Sequence, residues 1–403
     1  MNYTKFTDHA NQDAIIYLPS NEIQDDTKSL VSKLSKCDVF NHVRVMPDCH
    51  CAAFCCVGLT SVIKDKIVPQ IVGGDIGCGI SCYPLNKVIK EKQYKKIDEA
   101  IKSAIPMGEK IHKISIANDV IMNNIYNECN KKLVFLKNKF SNYPFRDFQY
   151  NENYYQTLIS KLHSKTNSAI FIRSLGTLGG GNHYVEFNKD TDGKCYVCVH
   201  SGSRAIGQAI CGYHQLKAKS NMKGKMLLEN YLENEELVEY LIDMIYAQEF
   251  ASKNREIMIQ QICNIVGSNY VKENLIETIH NYIDFERLIL RKGAISAEAG
   301  KKCIISLNMR DGVLLCKGKG NEDWNYSSAH GCGRLMSRAD ARKSFNMSQF
   351  KTSMKDVYSS SICKETLDEA PMAYKDTEKI KQYIGDSVDI IKQLVPIINI
   401  KGY

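Results

Sequence analysis

The residues of this 403-residue chain best placed to do chemistry sit in glycine-rich segments carrying carboxylate, thiol and imidazole groups. Gly73-Gly74-Asp75-Ile76-Gly77-Cys78-Gly79 sets a carboxylate and a thiol three residues apart among four glycines. Glycines leave the backbone open to a bound ion or ligand, and Asp and Cys are a hard and a soft metal ligand. A glycine turn around a buried cysteine would use the same residues, so the weight falls on the histidines. His50 follows Pro47-Asp48, His183 follows a glycine run, His200 ends a strand-like run, His280 precedes Asn281-Tyr282, and His330 precedes Gly331-Cys332-Gly333-Arg334. If Asp75, Cys78, His183, His200 and His280 converge and the thiolate is shared, they make a site for two ions with open positions. Two-metal phosphoryl chemistry needs that arrangement. By ligand softness alone, thiolate with imidazole favours zinc or iron.

The bare amides of Gly331 and Gly333 and the guanidinium groups of Arg334 and Arg338 are suited to phosphate, and an imidazole among them could attack phosphorus. A glycine turn with surface arginines is the plainer alternative for that segment. Arg204, in His200-Ser201-Gly202-Ser203-Arg204, is a second candidate phosphate ligand. The chain has no Walker A loop, no Gly-x-Gly-x-x-Gly and no Lys-x-Asp-Gly, so a nucleotide site would be unconventional. Cys195 and Cys198 form a Cys-x-x-Cys pair, and Cys49, Cys51, Cys55 and Cys56 cluster. In strand-like sequence these read as buried thiols rather than a structural zinc.

The elements that must hold these groups follow from periodicity. Asp26 to Lys36 reads as helix and His42 to Met46 as a strand ended by Pro47-Asp48-Cys49-His50. Val57 to Val62 and Ile67 to Val72 read as strands, the second delivering the Asp75–Cys78 loop. Glu91 to Lys165 is mostly helical, with a polar, aromatic interruption from Asn142 to Tyr155. Ala169 to Arg173, Tyr184 to Phe187 and Cys195 to Val199 read as strands. Residues 224–282 read as a mainly helical insertion, broken by a turn at Gly267-Ser268-Asn269 into two or more helices. Cys303 to Leu307 and Gly312 to Cys316 read as strands, and Lys375 to Val395 as a helix. The irregular alternation predicts a mixed α/β chain rather than a regular doubly wound sheet.

Composition bounds the function. Hydrophobic residues make up 44% and charged residues 24%, which excludes a disordered chain. The net charge of +8 is compatible with a phosphate-rich partner. Met1 to Asp13 holds no apolar signal core, and no apolar run is long enough to span a membrane. With sixteen cysteines in no secreted-scaffold pattern, the expected location is cytoplasmic and the thiols reduced.

Colinear blocks carry a specific resemblance: MPDCH from Met46, VGGDIGCG from Val72, LGTLGGGNHYVE from Leu175 and HSGSRAIG from His200. HNY from His280, RKGA from Arg291, HGCGRLMSR from His330, DEAPMAYK from Asp368 and the terminal Lys401-Gly402 continue the series. From near residue 40 to the C-terminus the chain resembles the RtcB family of RNA ligases. The resemblance implies one mixed α+β domain over residues 1–403, with irregular β-sheets packed against helices. It implies two manganese ions bridged by Cys78, with Asp75 and His183 on one and His200 and His280 on the other. His330 would take GMP from GTP as a phosphoramidate. Asn182, Glu186, Asn281, Tyr374, Lys401 and the Gly331-Cys332-Gly333 backbone would hold the guanosine. Asp48 and Lys292 match further catalytic positions, and Arg204, Arg334 and Arg338 match RNA-phosphate contacts. The implied substrates are GTP and RNA with 3′-phosphate or 2′,3′-cyclic phosphate ends and 5′-hydroxyl ends, in RNA repair or tRNA splicing. Dependence on an activator protein stays open.

Two segments depart from the pattern. Cys316-Lys317-Gly318-Lys319-Gly320-Asn321 stands where many members have Pro-Gly-Ser-Met-Gly, and the cysteine-rich run after Asp48 replaces a Gly-Lys-Gly-like one. No ligand or nucleophile is lost by either. The rival expectations are a metal-dependent phosphodiesterase that opens cyclic ends without ligating, and a non-catalytic metal-bound protein that caps RNA ends.

Overall fold

A computed structural model describes residues 3–7, 13–52, 54–145, 147–162, 168–221 and 230–403. Two large sheets dominate the described residues. In spatial order, the six-stranded sheet runs Thr4–Thr7, Asp13–Ile16, Asn41–Cys51, Cys56–Val62, Ile289–Lys292 and Asn281–Asp284. The seven-stranded sheet runs Ile276–Ile279, Gly79–Pro84, Cys195–Ser201, Tyr184–Lys189, Val388–Lys401, Val313–Gly318 and Lys302–Ser306. Helices pack against both, so the architecture is mixed α+β.

Register explains where the functional groups gather. Gly79 pairs with both Ile279 and Ser201, while His200 pairs with both Ile80 and Tyr184. Cys78 therefore enters its strand, His183 precedes its own, His280 follows Ile279, and His200 lies level with them. Four strands of one sheet deliver these side chains to one end.

The helix Asn234–Val266 is the spine behind that end. Leu237, Leu241, Ile245 and Phe250 are buried, each contributing about 1.5–3 kcal/mol by leaving water. Gly267 ends the helix with φ 68°, in the left-handed region that glycine tolerates. The interruption from Asn142 to Tyr155 is an aromatic brace: Phe148, Tyr150 and Tyr154 pack edge to face. Tyr150 then donates to the Ile242 carbonyl of the spine at 2.8 Å.

Several sequence expectations are corrected. Ile67 to Val72 is a strand only at Lys66–Ile67; Pro69 then opens the short helix Pro69–Val72, because proline suits the first helical turn. Ala169–Arg173 is a helix; a five-residue apolar run carries no period to separate the two states. The proposed helix from Lys375 to Val395 is the helix Thr377–Tyr383 followed by the 14-residue strand Val388–Lys401. Pairing on both of its edges overrides local spacing. Among its described residues the mainly helical stretch holds the short strand Leu232–Glu233, one α-helix, a 3-10 turn at Lys272–Asn274 and then the strands Ile276–Ile279 and Asn281–Asp284; residues 224–229 lie outside the described residues. The helical stretch ending at Lys165 is described only to Leu162. Pro47 does not end its strand, which runs to Cys51 with a shift of register between Val45 and His50. Cys195 and Cys198 are buried and form no disulfide, as expected. No described helix is long and apolar enough to cross a membrane.

Candidate active site

Asp75 and Cys78 occupy the loop between the helix Pro69–Val72 and the strand Gly79–Pro84. The loop must press against the spine helix: a Cβ on Gly77, which has φ +69°, would stand 2.8 Å from the Ala251 methyl and 3.0 Å from the Gln248 backbone. Only glycine meets both conditions. Arg255, fully buried, donates to the Gly77 and Ser201 carbonyls at 2.7 Å each and pairs with Glu277 at 2.7 Å. Its neighbour Asn254 accepts from the Gly176 and Thr177 amides and donates to the Thr177 and Gly202 carbonyls. One helix turn thus fixes the loops that carry Cys78, His183 and His200.

Cys78 Sγ lies 3.4 Å from His183 Nε2 and 3.2 Å from His200 Nε2. His183 Nε2 lies 3.1 Å from Asp75 Oδ2, and His200 Nε2 lies 3.2 Å from His280 Nε2. Donors each about 2.0–2.3 Å from a shared ion stand roughly 3.0–3.6 Å apart, so all four spacings fit coordination. Cys78, His183 and His200 form a group close enough to hold an ion together. His183 Nδ1 donates to the Leu178 carbonyl at 2.9 Å and His200 Nδ1 to the Asn182 carbonyl at 3.2 Å. Both Nε2 lone pairs are thereby turned to the shared centre.

Burial holds the imidazoles of His200 and His280 well below their ordinary range, in the neutral form that ligates. Burial, reinforced by Asp75, pushes the Cys78 thiol well above its ordinary range. Such a thiol ionises when a cation takes the proton's place. Burial would raise the Asp75 carboxyl too, but His183, a hydrogen bond from Cys78 and His200 together hold the group below the usual carboxylate range. The donor set fits one or more divalent cations.

His330 stands at the rim of a cavity of about 360 Å³ whose walls include Cys78, His200 and His280. Its ring is 4.9 Å from that of His280, centroid to centroid. Its Nδ1 is 2.5 Å from Oδ2 of the fully buried Asp48, and the same oxygen accepts from the His330 and Gly331 amides at 3.1 Å. Nε2 is left for the cavity. Gly333, with φ +69°, has no room for a side chain: a Cβ would fall 2.0 Å from the Asp48 carbonyl oxygen. Lys292 donates to the Val72 carbonyl at 2.8 Å from the opposite wall.

The far end of the cavity is a charge network centred on Glu369. Lys401 and the Tyr374 hydroxyl donate to its Oε2 at 3.0 and 2.9 Å, and Arg338 donates to Oε1 at 2.6 Å. Arg334 reaches Oε1 at 3.4 Å. Burial would raise the Glu369 carboxyl, but Lys401, Arg338 and Arg334 hold it well below its ordinary range. Glu186 is the opposite case. Burial pushes it up to about 7 against the amides of Asn188 and Asn399 and the charge of Lys401.

Asn182, Glu186, Asn281, Lys292, Gly331, Cys332, Gly333, Arg334, Arg338, Tyr374 and Lys401 all line this cavity. Asp48 lies behind His330, and His183 behind Asp75 and Cys78. Arg204 is not brought to the cavity wall; it reaches the Thr177 hydroxyl and the Gly108 carbonyl from beneath Gly179. Sequence reasoning missed Glu369, Asn399, Asn254 and Arg255. Polar residues inside the apolar helical stretch were the available signal for the last two. It singled out His50 without a role; this imidazole lines the cavity, touches the Asp48 carbonyl at 3.1 Å and is held by burial down to about 4.

A family model described as tRNA-splicing ligase RtcB matches residues 30–402. The RNA-splicing ligase RtcB of Escherichia coli strain K12 is 30% identical, covering 94% of this chain and 94% of its own length. The tRNA-splicing ligase RtcB of Nanoarchaeum equitans is 25% identical over 92% of this chain and 90% of its own. The match spans the seven-stranded sheet, the spine helix and every segment of the cavity described above, and the chain belongs to the RtcB family.

Proposed function

We propose that this chain is a GTP- and Mn²⁺-dependent RNA ligase that joins 3′-phosphate or 2′,3′-cyclic phosphate ends to 5′-hydroxyl ends. The observation that carries the reading is His330, its Nδ1 against Asp48, lining the same cavity as Cys78, His200 and His280. In this reading Asp75, His183 and Cys78 hold one ion, and Cys78, His200 and His280 hold the other. Bound there, the ions would offset phosphate charge and lower the pKa of an attacking hydroxyl or water.

His330 Nε2 attacks the α-phosphorus of GTP, forming an N–P bond as the P–O bond to pyrophosphate breaks. Asp48 stabilises the positive charge that builds on the imidazole. An oxygen of the RNA 3′-phosphate then displaces His330 and takes the GMP. The 5′-hydroxyl displaces GMP to make the phosphodiester; a cyclic end is first opened by water. Glu186, Tyr374 and Lys401 hold the guanosine, with Asn182, Asn281 and the amides of residues 331–333 alongside, and Lys292 approaches from the opposite wall. Arg334 and Arg338 meet RNA phosphates, while Arg204 supports the Gly179 turn.

The ligase reading takes residues 1–403 as one unit, supported by the strand Val388–Lys401, which bonds the sheet edges on both of its sides. Buried thiols that form no disulfide, such as Cys195 and Cys198, suit a cytoplasmic setting. The RtcB relatives are named for RNA and tRNA splicing, and repair of cleaved RNA uses the same ends. Incubation of end-labelled RNA with Mn²⁺, with and without GTP, tests the reading. Joined product only with GTP is expected. Opening of cyclic ends without GTP and without joining would point to the phosphodiesterase, and salt-sensitive binding without turnover to an end-capping protein.

A further inference from the structure

We propose that Asn188 and Asn399 are positioning residues for base recognition: their amides clamp Glu186 as an oriented, ionised acceptor pair that selects guanine over adenine and hypoxanthine. The inference deepens the GTP reading and rests on it. Glu186 and Asn399 are register partners across neighbouring strands, and Asn188 is two residues on along the same strand, so the three side chains share one face of the sheet. Asn188 Nδ2 donates to Glu186 Oε1 at 2.6 Å, and Asn399 Nδ2 donates to Oε2 at 2.7 Å. One amide per oxygen fixes the carboxylate plane and leaves each oxygen a lone pair.

Neither amide could be turned over, because its carbonyl would then face the carboxylate. Yet both Oδ1 atoms are buried without a partner. A purely structural amide would be satisfied at both ends. Glu186, Asn399 and Lys401 line the cavity together, and Glu186 and Lys401 bring two carboxylate acceptors and a cationic donor to it. A guanine edge is the complement: N1–H and an N2 amino group beside the O6 acceptor. Adenine would set the N1 lone pair against the carboxylate, and hypoxanthine lacks the N2 donors.

The clamp also sets the charge state. Lys401 on the last strand lowers the Glu186 carboxyl, as do the two asparagines. Tyr184 on its own strand is held neutral by burial, and Cys198 on the next by its Cys82 contact and then by burial. A hydrogen bond to the ionised form favours that form, so removing one amide moves the carboxyl further up.

The test uses the full chain with Mn²⁺ and α-labelled GTP, ITP or ATP, measuring covalent labelling from about pH 6 to about pH 9. For the unaltered protein, preference for GTP over ATP should shrink as pH falls through about 7, because a protonated Glu186 can donate to adenine N1. Asn399→Val and Asn188→Val, checked by melting, should raise the KM for GTP about tenfold near neutral pH. The rate at saturating GTP should stay within about twofold, and KM should return toward that of the unaltered protein at the alkaline end. A nucleotide preference flat with pH in the unaltered protein would overturn the clamp even where the valine variants fail to fold. In folded variants, a KM that does not move, or a loss independent of pH, would do the same. Labelled unaltered protein with unmoved variants removes the clamp alone; unaltered protein that takes no label from GTP removes the nucleotide reading and the clamp with it.

Discussion

Replacing Asp48 by Asn isolates one charge at the proposed nucleophile. The carboxylate is fully buried, its Oδ2 is 2.5 Å from His330 Nδ1, and it accepts from the His330 and Gly331 amides. Asparagine keeps the shape, and its carbonyl can still accept from both amides, so the backbone turn survives. What is lost is the negative charge facing the imidazole as His330 becomes cationic. A charge pair a few ångströms apart interacts by about 4 kcal/mol at an effective dielectric constant of about 20, and losing about half of that slows the step roughly 30-fold. Because Asp48 Oδ1 has no partner, the new amide strands no existing bond, and stability should change by about 1 kcal/mol or less. Single-turnover transfer of labelled GMP to the protein, with metal content and thermal unfolding followed in parallel, measures the effect. A transfer rate within twofold of the unaltered protein would refute the role given to the charge. So would a rate loss that tracks loss of metal.

Cys78→Ala should lose both ions in metal analysis, since one thiolate contributes to each, whereas Cys129→Ala, far from the cluster, should lose neither; two tightly held ions in Cys78→Ala would rule out a bridge. Asn254→Ala strands the Gly176 and Thr177 amides and the Gly202 carbonyl, so chemical denaturation should show a loss of about 3 kcal/mol. Glu369 has a folded pKa below its ordinary 4.5, so its contribution to stability is complete above that value and lost as pH falls toward the folded one. Glu369→Gln should flatten the acid side of the stability profile in pH-dependent melts, and should raise the KM for GTP by releasing Lys401 and Tyr374.

The candidate metal ligands were legible because each sits beside glycine or at a strand end, where bulky alternatives are excluded. Their convergence follows from register, which pairs Gly79 with Ile279 and Ser201; no local pattern encodes that pairing. Asn399 and Glu369 were invisible for a different reason. They are ordinary residue types in a strand and a short helical turn, and only tertiary placement brings them to the cavity. Ile390-Ile391 and Leu394-Val395 repeat at helical spacing, yet their segment is an interior strand of the seven-stranded sheet. Bonding on both edges outweighed that spacing. The single helix Asn234–Val266 was half legible: Gly267 marks its end, but nothing local signalled that the chain beyond it would form the strands flanking His280.

The most direct measurement of the central claim is covalent labelling of the protein by α-labelled GTP with Mn²⁺, compared between the unaltered chain and His330→Ala. Label that is lost in acid and kept in alkali is expected on the unaltered chain, as for a phosphoramidate on imidazole. His330→Ala should take no label and keep its metal. It should fail to join a 3′-phosphate end, yet join RNA whose 3′ end already carries GMP. Guanylylation persisting in His330→Ala, or label lost in alkali, would place the nucleophile elsewhere and contradict the assignment, with Lys401 and Lys292 next to be tested.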